Sequence, residues 1–198
     1  MNNINIREHI TNGKRWLRNM AAVMLLPGLL LTAGGSARGD GAALTESQVK
    51  ALCVISFAKY VEWPAGVFPQ ADTRITVGVL GEGKIADDLE QAVKGKVIGG
   101  RGIDVVRFGS GDDWSKCHVL FVGASETKRL GEILNRVKAK PVLTVGEAEG
   151  FTDQGGTINF IKKDGKVRFE IDLTAAHTAQ LSISSKVLSL ADKVSGKP

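Results

Sequence analysis

Three short segments of almost continuous apolar character constrain this chain most strongly. They are residues 75–81 (ITVGVLG), 119–122 (VLFV) and 142–145 (VLTV). A strand with one face in water alternates apolar and polar residues, whereas unbroken apolar strands are typical of sheets that are covered on both faces. Helical patterns at 84–93 and 125–138 separate the three segments. Alternation at this spacing predicts βαβ units and a mostly parallel sheet.

The segment before the first of these strands has helical periodicity. Thr45, followed three residues later by Gln48, is typical of a capping box, and we expect a buried helix from there that ends before Trp63-Pro64. Residues 65–73 then read as a loop. Further along we expect a connector with a short strand at 95–102, a strand at 103–108, a helical turn at 112–117, and Ser125 as the N-cap of the 125–138 helix.

The end of the chain departs from the βαβ pattern. Thr157–Lys162 and Lys166–Leu173 flank Asp164-Gly165, and this pair between strand-like segments predicts an antiparallel hairpin. A final helix is expected over Ser184–Val194. The predicted fold is therefore one α/β domain over residues 45–198, with three layers. It has a mostly parallel sheet, the hairpin at one edge, and helices on both faces.

The N-terminus predicts export. Basic residues precede an apolar run of about 14 residues (20–33), and small residues follow it, which is the order of a secretory signal peptide. Pro27 interrupts this run, which is shorter than the ~20 residues of a membrane span. We expect residues 1–37 to be the signal, cleaved near Ala37, and residues 38–44 to form a flexible leader. The remaining chain carries 22 basic and 20 acidic residues, so its net charge of +2 gives no reason to expect nucleic-acid binding.

Two cysteines, Cys53 and Cys117, would reach a compartment in which disulfides form. One alternative is a redox role for the pair, which would require a helix and the start of a strand to meet. The other is that both cysteines are buried free thiols. The cysteine and histidine spacings match no metal site, and we expect neither a metal nor a cofactor.

Catalytic motifs are missing from the sequence. It lacks GxSxG, HExxH and a Walker A loop, and the glycines at 81 and 83 fit neither nucleotide-binding fingerprint. We expect His118 to be a strand-end residue whose ring nitrogen is hydrogen-bonded, and His177 to lie at the surface. The chain is therefore predicted not to be an enzyme.

Two groups of side chains are candidates for ligand or partner binding. Glu62 and Trp63 lie where the first helix meets a loop. They form either the rim of a binding site for a ligand or partner, or a structural packing contact at the end of the helix. The second group lies along the hairpin and its C-terminal continuation and consists of Asn159, Arg168, Glu170, Asp172, Ser182, Ser184 and Lys186. These side chains form either a recognition surface or a solvent-exposed edge of the sheet. An Arg between acids and hydroxyls can hold a small anionic or zwitterionic ligand.

Several segments in order along the chain resemble the YfiR-like family of exported bacterial proteins. They are VKALCVISFAKYVEWP, ITVGVLG, KCHVLFVGASE, VLTVGEAEGF, GGTINFI, VRFEIDL and LSISSKVLSLA. The resemblance implies a periplasmic, non-catalytic α/β domain that restrains a membrane-bound diguanylate cyclase (GGDEF type) through the cyclase's periplasmic sensor region. It also implies release of the restraint by an outer-membrane lipoprotein or by redox and small-molecule signals, with cyclic di-GMP and biofilm rising on release.

The residue-level match to the family is partial. Trp63-Pro64, Asn159 within GG-x-INF, and the Phe-Glu-Ile before Asp172 follow the family pattern, whereas Asp172 stands where Asn is usual. Cys117 matches a common family cysteine, but the first-strand cysteine that some members pair with it is absent. We therefore expect a periplasmic regulator of a cyclase. The alternative is a small-molecule sensor that serves another membrane receptor or kinase, and a homodimer stays open for either.

Overall fold

The computed structural model describes residues 43–197, so the predicted signal peptide (1–37) lies outside the described residues, as does most of the leader. The helices are α1 (Glu46–Tyr60), α2 (Ile85–Val93), α3 (Leu130–Val137), α4 (Leu173–Thr178) and α5 (Ser185–Leu188), with 3₁₀ turns at Trp114–Lys116 and Ala124–Arg129. The strands are β1 (Val61–Glu62), β2 (Ile75–Leu80), β3 (Val97–Ile98), β4 (Arg101–Phe108), β5 (Val119–Val122), β6 (Leu143–Gly146), β7 (Ile158–Lys163), β8 (Lys166–Asp172), β9 (Ser182–Ile183) and β10 (Lys193–Ser195). Within residues 43–197, no helix is long and apolar enough to span a bilayer.

Eight strands form one sheet in the order β10-β8-β7-β6-β5-β2-β4-β3. The pairs from β4 through β2, β5 and β6 to β7 are parallel, whereas β8 runs antiparallel to β7 and β3 antiparallel to β4. The expected mixed α/β fold with a mostly parallel sheet and an antiparallel hairpin is therefore confirmed.

Two hydrophobic clusters cover the two faces of the sheet. On β5, Val119 and Phe121 belong to one cluster, while Leu120 and Val122 belong to the other. This alternation follows from the two-residue period of a strand. Buried side chains of α1 and α2 complete the first cluster, and those of α3 complete the second, which gives the predicted three layers.

Helix α1 begins at the predicted capping box. The Thr45 hydroxyl accepts a hydrogen bond from the Gln48 N–H at 3.2 Å, and the Gln48 side chain accepts one from the Thr45 N–H at 3.0 Å. Near the other end of the helix, Phe57 packs edge-on against Phe169 of the hairpin, with ring centroids 4.9 Å apart. The helix is thus anchored on the first hydrophobic cluster.

The predicted hairpin is confirmed, including its turn. Asp164 and Gly165 both have positive φ, 51° and 70°, as a two-residue type I′ turn requires. Its register pairs Asn159 with Glu170 across the two strands. The two side chains therefore lie on the same face of the sheet, opposite the first cluster.

The segment between β6 and β7 is held by a buried phenylalanine. Phe151 is fully buried, and its ring fills the space over Gly146 and Gly156. A Cβ atom at either glycine would overlap this ring. These two glycines therefore permit a close approach that a larger residue would block.

Three details of the sequence prediction were wrong. The final helix predicted over 184–194 is only one turn, α5, and the chain then pairs as β10 beside β8, so the hairpin does not form the outermost edge. Residues 173–178, for which the sequence pattern predicts no helix, form α4. Ser125 does not cap α3, because its hydroxyl accepts a hydrogen bond from the Glu82 N–H at 3.0 Å.

A separate two-stranded ladder joins the end of α1 to the C-terminal region. Strand β1 pairs antiparallel with β9, with Val61 opposite Ile183 and Glu62 opposite Ser182. The N–H of Ser184 extends the ladder by donating to the Tyr60 carbonyl at 3.0 Å. This ladder brings residues about 120 positions apart into one surface.

Candidate functional site

The structure divides the nine candidate binding residues into two groups. Five of them lie around the β1–β9 ladder, namely Glu62, Trp63, Ser182, Ser184 and Lys186. The other four lie on the hairpin or at its end, namely Asn159, Arg168, Glu170 and Asp172. The sequence pattern groups Ser182, Ser184 and Lys186 with the hairpin, whereas the fold places them beside Glu62 and Trp63.

Three residues of the first group, Glu62, Trp63 and Ser182, line an open cleft of about 460 Å³, which we call the Trp63 cleft. It is lined by Glu62, Trp63, Pro64, His177, Gln180, Leu181 and Ser182. The indole Nε1 of Trp63 is buried and has no hydrogen-bond partner among the described residues. An unpaired buried N–H costs about 1–3 kcal/mol, so a conformational change that brings this N–H to a hydrogen-bond acceptor would recover that energy.

Trp63 is held by a cluster of rings. Phe68 lies edge-on at 5.8 Å between ring centroids, and His118 at 6.3 Å. Phe68 and His118 stack on each other at 4.6 Å with their planes 5° apart. Neither ring was expected to contribute to the site, and nothing in the sequence spacing connects residues 63, 68 and 118.

His118 matches its predicted role as a strand-end residue with a hydrogen-bonded ring nitrogen. Its Nδ1 accepts a hydrogen bond from the Thr76 N–H at 3.0 Å. Burial lowers the pKa of His118 below its ordinary value of 6.5, a hydrogen bond with the Val67 backbone opposes this shift, and the charge of Arg101 adds to the lowering. The ring is therefore neutral at neutral pH.

Lys186 and Ser184 stabilise the ladder. The Lys186 ammonium lies 5.6 Å from the centroid of the Tyr60 ring. The Ser184 hydroxyl accepts the Lys186 N–H and caps α5. Both side chains thus have structural contacts close to the Trp63 cleft.

On the hairpin, Asn159 and Glu170 form a buried polar contact. The Asn159 side chain is 2% exposed, and its Nδ2 donates to Glu170 Oε1 at 3.2 Å. The same oxygen accepts the Thr152 hydroxyl at 3.1 Å. Glu170 therefore joins the 151–156 segment to the sheet, whereas Arg168 is exposed. Thr152 was not among the candidates, because its pairing with Glu170 depends on how the segment folds back.

Asp172 is the N-cap of α4. Its Oδ1 accepts hydrogen bonds from the N–H groups of Thr174, at 2.7 Å, and Ala175, at 3.4 Å. Only acceptor atoms are used in this contact. Asp and Asn cap helices about equally well, so the Asp at position 172 keeps the capping contact that an Asn would make.

The two cysteines lie on opposite faces of the sheet and are both free thiols. Cys53 packs against the first hydrophobic cluster and Cys117 belongs to the second. Burial raises the pKa of Cys53 to about 11 and that of Cys117 to about 12. Both thiols are therefore protonated at neutral pH, and the sheet separates them.

A charged cluster lies where α1 meets Glu147, the residue that follows β6. Lys50 Nζ lies 2.8 Å from carboxylate oxygens of both Glu46 and Glu147. Burial alone would lower the pKa of Lys50, but the hydrogen bonds to these two carboxylates raise it above its ordinary value. The cluster joins α1 to the sheet. Within residues 43–197, no group of three or more His, Cys, Asp or Glu side chains could hold a metal ion.

Comparisons with known proteins place the chain in a family. The sequence profile of the YfiR/HmsC-like family matches residues 47–192. No curated protein matches the chain. Among solved structures, an ABC domain from Streptococcus pneumoniae in complex with L-Trp is similar, at 11% identity and a TM-score of 0.51 over 76% of this chain and 60% of that one. A conserved domain protein from Vibrio cholerae has 12% identity and a TM-score of 0.49, over 77% of this chain and 61% of that one.

These structural likenesses have limits. The chain spans about three fifths of the length of both solved structures. At 11% identity, the first shows a shared fold and nothing about ligands or partners.

Proposed function

This chain belongs to the YfiR/HmsC-like family, and from that premise we propose that it restrains an inner-membrane diguanylate cyclase by binding the cyclase's periplasmic sensor region. The family is known for periplasmic regulation of diguanylate cyclases. By holding the cyclase inactive, the chain would lower cyclic di-GMP and biofilm formation. Capture of the chain by an outer-membrane lipoprotein would release the restraint.

The observation that carries the proposal is the aromatic side chain of Trp63, which lines an open cleft and whose buried indole N–H has no hydrogen-bond partner among the described residues. Tryptophan is enriched among the residues that dominate binding energy at protein interfaces. Here the ring is fixed by Phe68 and His118, so it would lose little conformational entropy on binding.

The test is a binding measurement with the exported chain and the periplasmic region of the cyclase from the same bacterium. Trp63→Ala should weaken binding about 30-fold, which corresponds to the ~2 kcal/mol typical of a dominant interface residue. Leu44→Ala is a matched control, since Leu44 is a 56% exposed apolar side chain just before the first residue of α1, at the end of that helix opposite to the one that leads to Trp63. Its binding should be unchanged.

Deletion tests the same proposal in the cell. Removing the chain should raise cyclic di-GMP, and wild-type chain should restore the low level while Trp63→Ala should not. Unchanged cyclic di-GMP after deletion would contradict the proposal, as would full binding by Trp63→Ala.

A second candidate function is a periplasmic sensor that binds a small molecule and serves another receptor or kinase. A cleft of about 270 Å³ between α3 and α4 favours it, because the residues that line it include Thr144, Thr157, Thr174 and Thr178. Thr144 and Thr157 are buried and hydrogen-bonded to each other at 3.1 Å. Thermal unfolding against a panel of periplasmic metabolites tests this function. A ligand that raises the melting temperature of wild type but not of Thr157→Val would support it.

A further inference from the structure

A continuous stack connects the Trp63 cleft to a titratable ring. The guanidinium carbon of Arg101 lies 4.4 Å from the centroid of the Phe68 ring, and the same ring stacks on His118 with centroids 4.6 Å apart. Trp63 contacts both Phe68 and His118 edge-on. A change in the charge of His118 therefore acts directly on the rings that position Trp63.

The hydrogen bond to His118 requires the neutral ring. Nδ1 accepts the Thr76 N–H, so this nitrogen carries no proton. A protonated imidazole donates from both nitrogens. Protonation would place two donors against each other and leave the N–H of Thr76 without its acceptor.

Arg101 is the charged group that acts on this ring. It lies on β4, one strand beyond β2, and it reaches His118 through Phe68. The other groups in contact are uncharged: the backbone of Thr76 on β2, the backbone of Val67, and the rings of Phe68 and Trp63. No carboxylate among these contacts would compensate a positive charge on His118.

The same guanidinium holds the loop that follows Trp63. Arg101 donates hydrogen bonds to the carbonyls of Gln70, Ala71 and Thr73 at 2.7–2.9 Å. Repulsion between a charged His118 and Arg101 would therefore act on the whole 64–73 loop. Because Trp63 and Pro64 begin this loop, its release would alter the cleft that they line.

We propose that protonation of His118 switches the Trp63 cleft, so that the chain binds its partner at neutral pH and releases it under mildly acidic conditions. The partner's identity rests on the function proposed above, whereas the conformational switch belongs to this chain alone. The direction follows from the lowered pKa of His118. The folded state disfavours protonation of His118. The neutral ring therefore contributes its full stabilisation of the fold above pH 6.5, the ordinary pKa of histidine, and this stabilisation is lost as the pH falls towards the lower pKa of His118 in the folded chain.

The first experiment follows tryptophan emission of the exported chain between about pH 8 and about pH 5. Wild type should show one transition below about pH 6.5, and this component should be absent in Trp63→Phe. His118→Asn should abolish the transition, since its amide oxygen can accept the Thr76 N–H but does not titrate in this range. His177→Asn is the matched control. It removes the exposed histidine of the same cleft and should leave the transition in place.

A direct measurement keeps the test decisive if His118→Asn folds poorly. In the His177→Asn chain, proton NMR of the remaining buried imidazole should give a pKa below 6.5. Arg101→Gln should raise this pKa, because the repelling charge is gone. A flat emission profile in wild type would overturn the switch, as would a transition that persists in His118→Asn and disappears in His177→Asn.

A binding measurement tests the effect of pH on the partner separately from the emission measurement. Affinity of wild type for the cyclase's periplasmic region should fall about tenfold or more between about pH 7.5 and about pH 5.5, and His118→Asn should lose less. Absence of binding at every pH would contradict the proposed function while the emission transition still decides the switch. Equal loss in wild type and His118→Asn would overturn the switch.

Discussion

Replacing Asp172 distinguishes a structural residue from a binding residue. Asp172 stands in the hairpin segment that the sequence marks as a recognition surface, yet its Oδ1 accepts hydrogen bonds from the first turn of α4 at 2.7 and 3.4 Å. Asp172→Ala removes the single oxygen that accepts both hydrogen bonds. Loss of an N-cap costs about 0.5–2 kcal/mol, and we expect about 1 kcal/mol here because the shorter of the two hydrogen bonds is well formed.

The isosteric variant supplies the comparison. Asp172→Asn keeps an oxygen at the capping position, so it should stay within a few tenths of a kcal/mol of wild type. In a domain of this size, 1 kcal/mol corresponds to a shift of about 2–4 °C in melting temperature. Urea denaturation gives the free energy of unfolding of the three proteins, and scanning calorimetry gives their melting temperatures.

Two results would refute the capping argument. Equal destabilisation by Asp172→Asn and Asp172→Ala would show that the negative charge, not the acceptor atom, is what matters. Unchanged stability in both variants, together with weaker partner binding, would show that Asp172 contacts the partner.

Three further outcomes are expected. Glu170→Lys should lower the free energy of unfolding by about 1–3 kcal/mol in urea titrations, since two donors lose their acceptor; an unchanged value would return Glu170 to the binding surface. Gly156→Ala should cost about 1–3 kcal/mol, because the new methyl group overlaps the ring of Phe151, and wild-type stability would show that the ring moves aside freely. With a pKa of about 11, only about one Cys53 thiol in a thousand is ionised at pH 8, and Cys117 is ionised less still. Mass spectrometry should therefore find both cysteines unmodified after brief alkylation of the native chain. Both should be alkylated when the chain is unfolded without reductant. A mass for unreduced, unfolded chain that lacks both additions would reveal a disulfide.

The sequence predicted the central elements because each is encoded locally. The apolar run of β2 and the turn pair Asp164-Gly165 specify their own structures through burial and backbone preference. The capping box at Thr45 also involves residues only three positions apart. Interactions within a few residues of one another are the kind that a pattern along the chain can contain.

The errors have the opposite character. Strand β10 exists because its backbone pairs with β8, about 24 residues earlier, and a helical apolar pattern at its position concealed this. Serine is a residue type favoured at N-caps, but the hydroxyl of Ser125 accepts a hydrogen bond from the N–H of Glu82 on a neighbouring loop. In both cases a contact between distant segments overrode the local preference.

The candidate site shows the same division. Sequence resemblance identified Trp63 and Asn159 as residues of interest and, with the profile match, the family. It could not show that Asn159 is buried against Glu170, that Asp172 serves a helix, or that Phe68 and His118 hold the Trp63 ring.

By itself, the sequence determined the α/β class, the order of the central elements and the family, since these depend on hydrophobic period, turn chemistry and motif order. Only the tertiary structure decided which polar residues are free to bind a partner. Whether a side chain accepts a hydrogen bond from a buried donor or lines an open cleft depends on neighbours that are distant in the chain: Glu170 accepts from Thr152, 18 positions earlier, and Trp63 contacts His118, about 55 positions later. At Trp63 those neighbours create an unpaired donor beside a titratable ring.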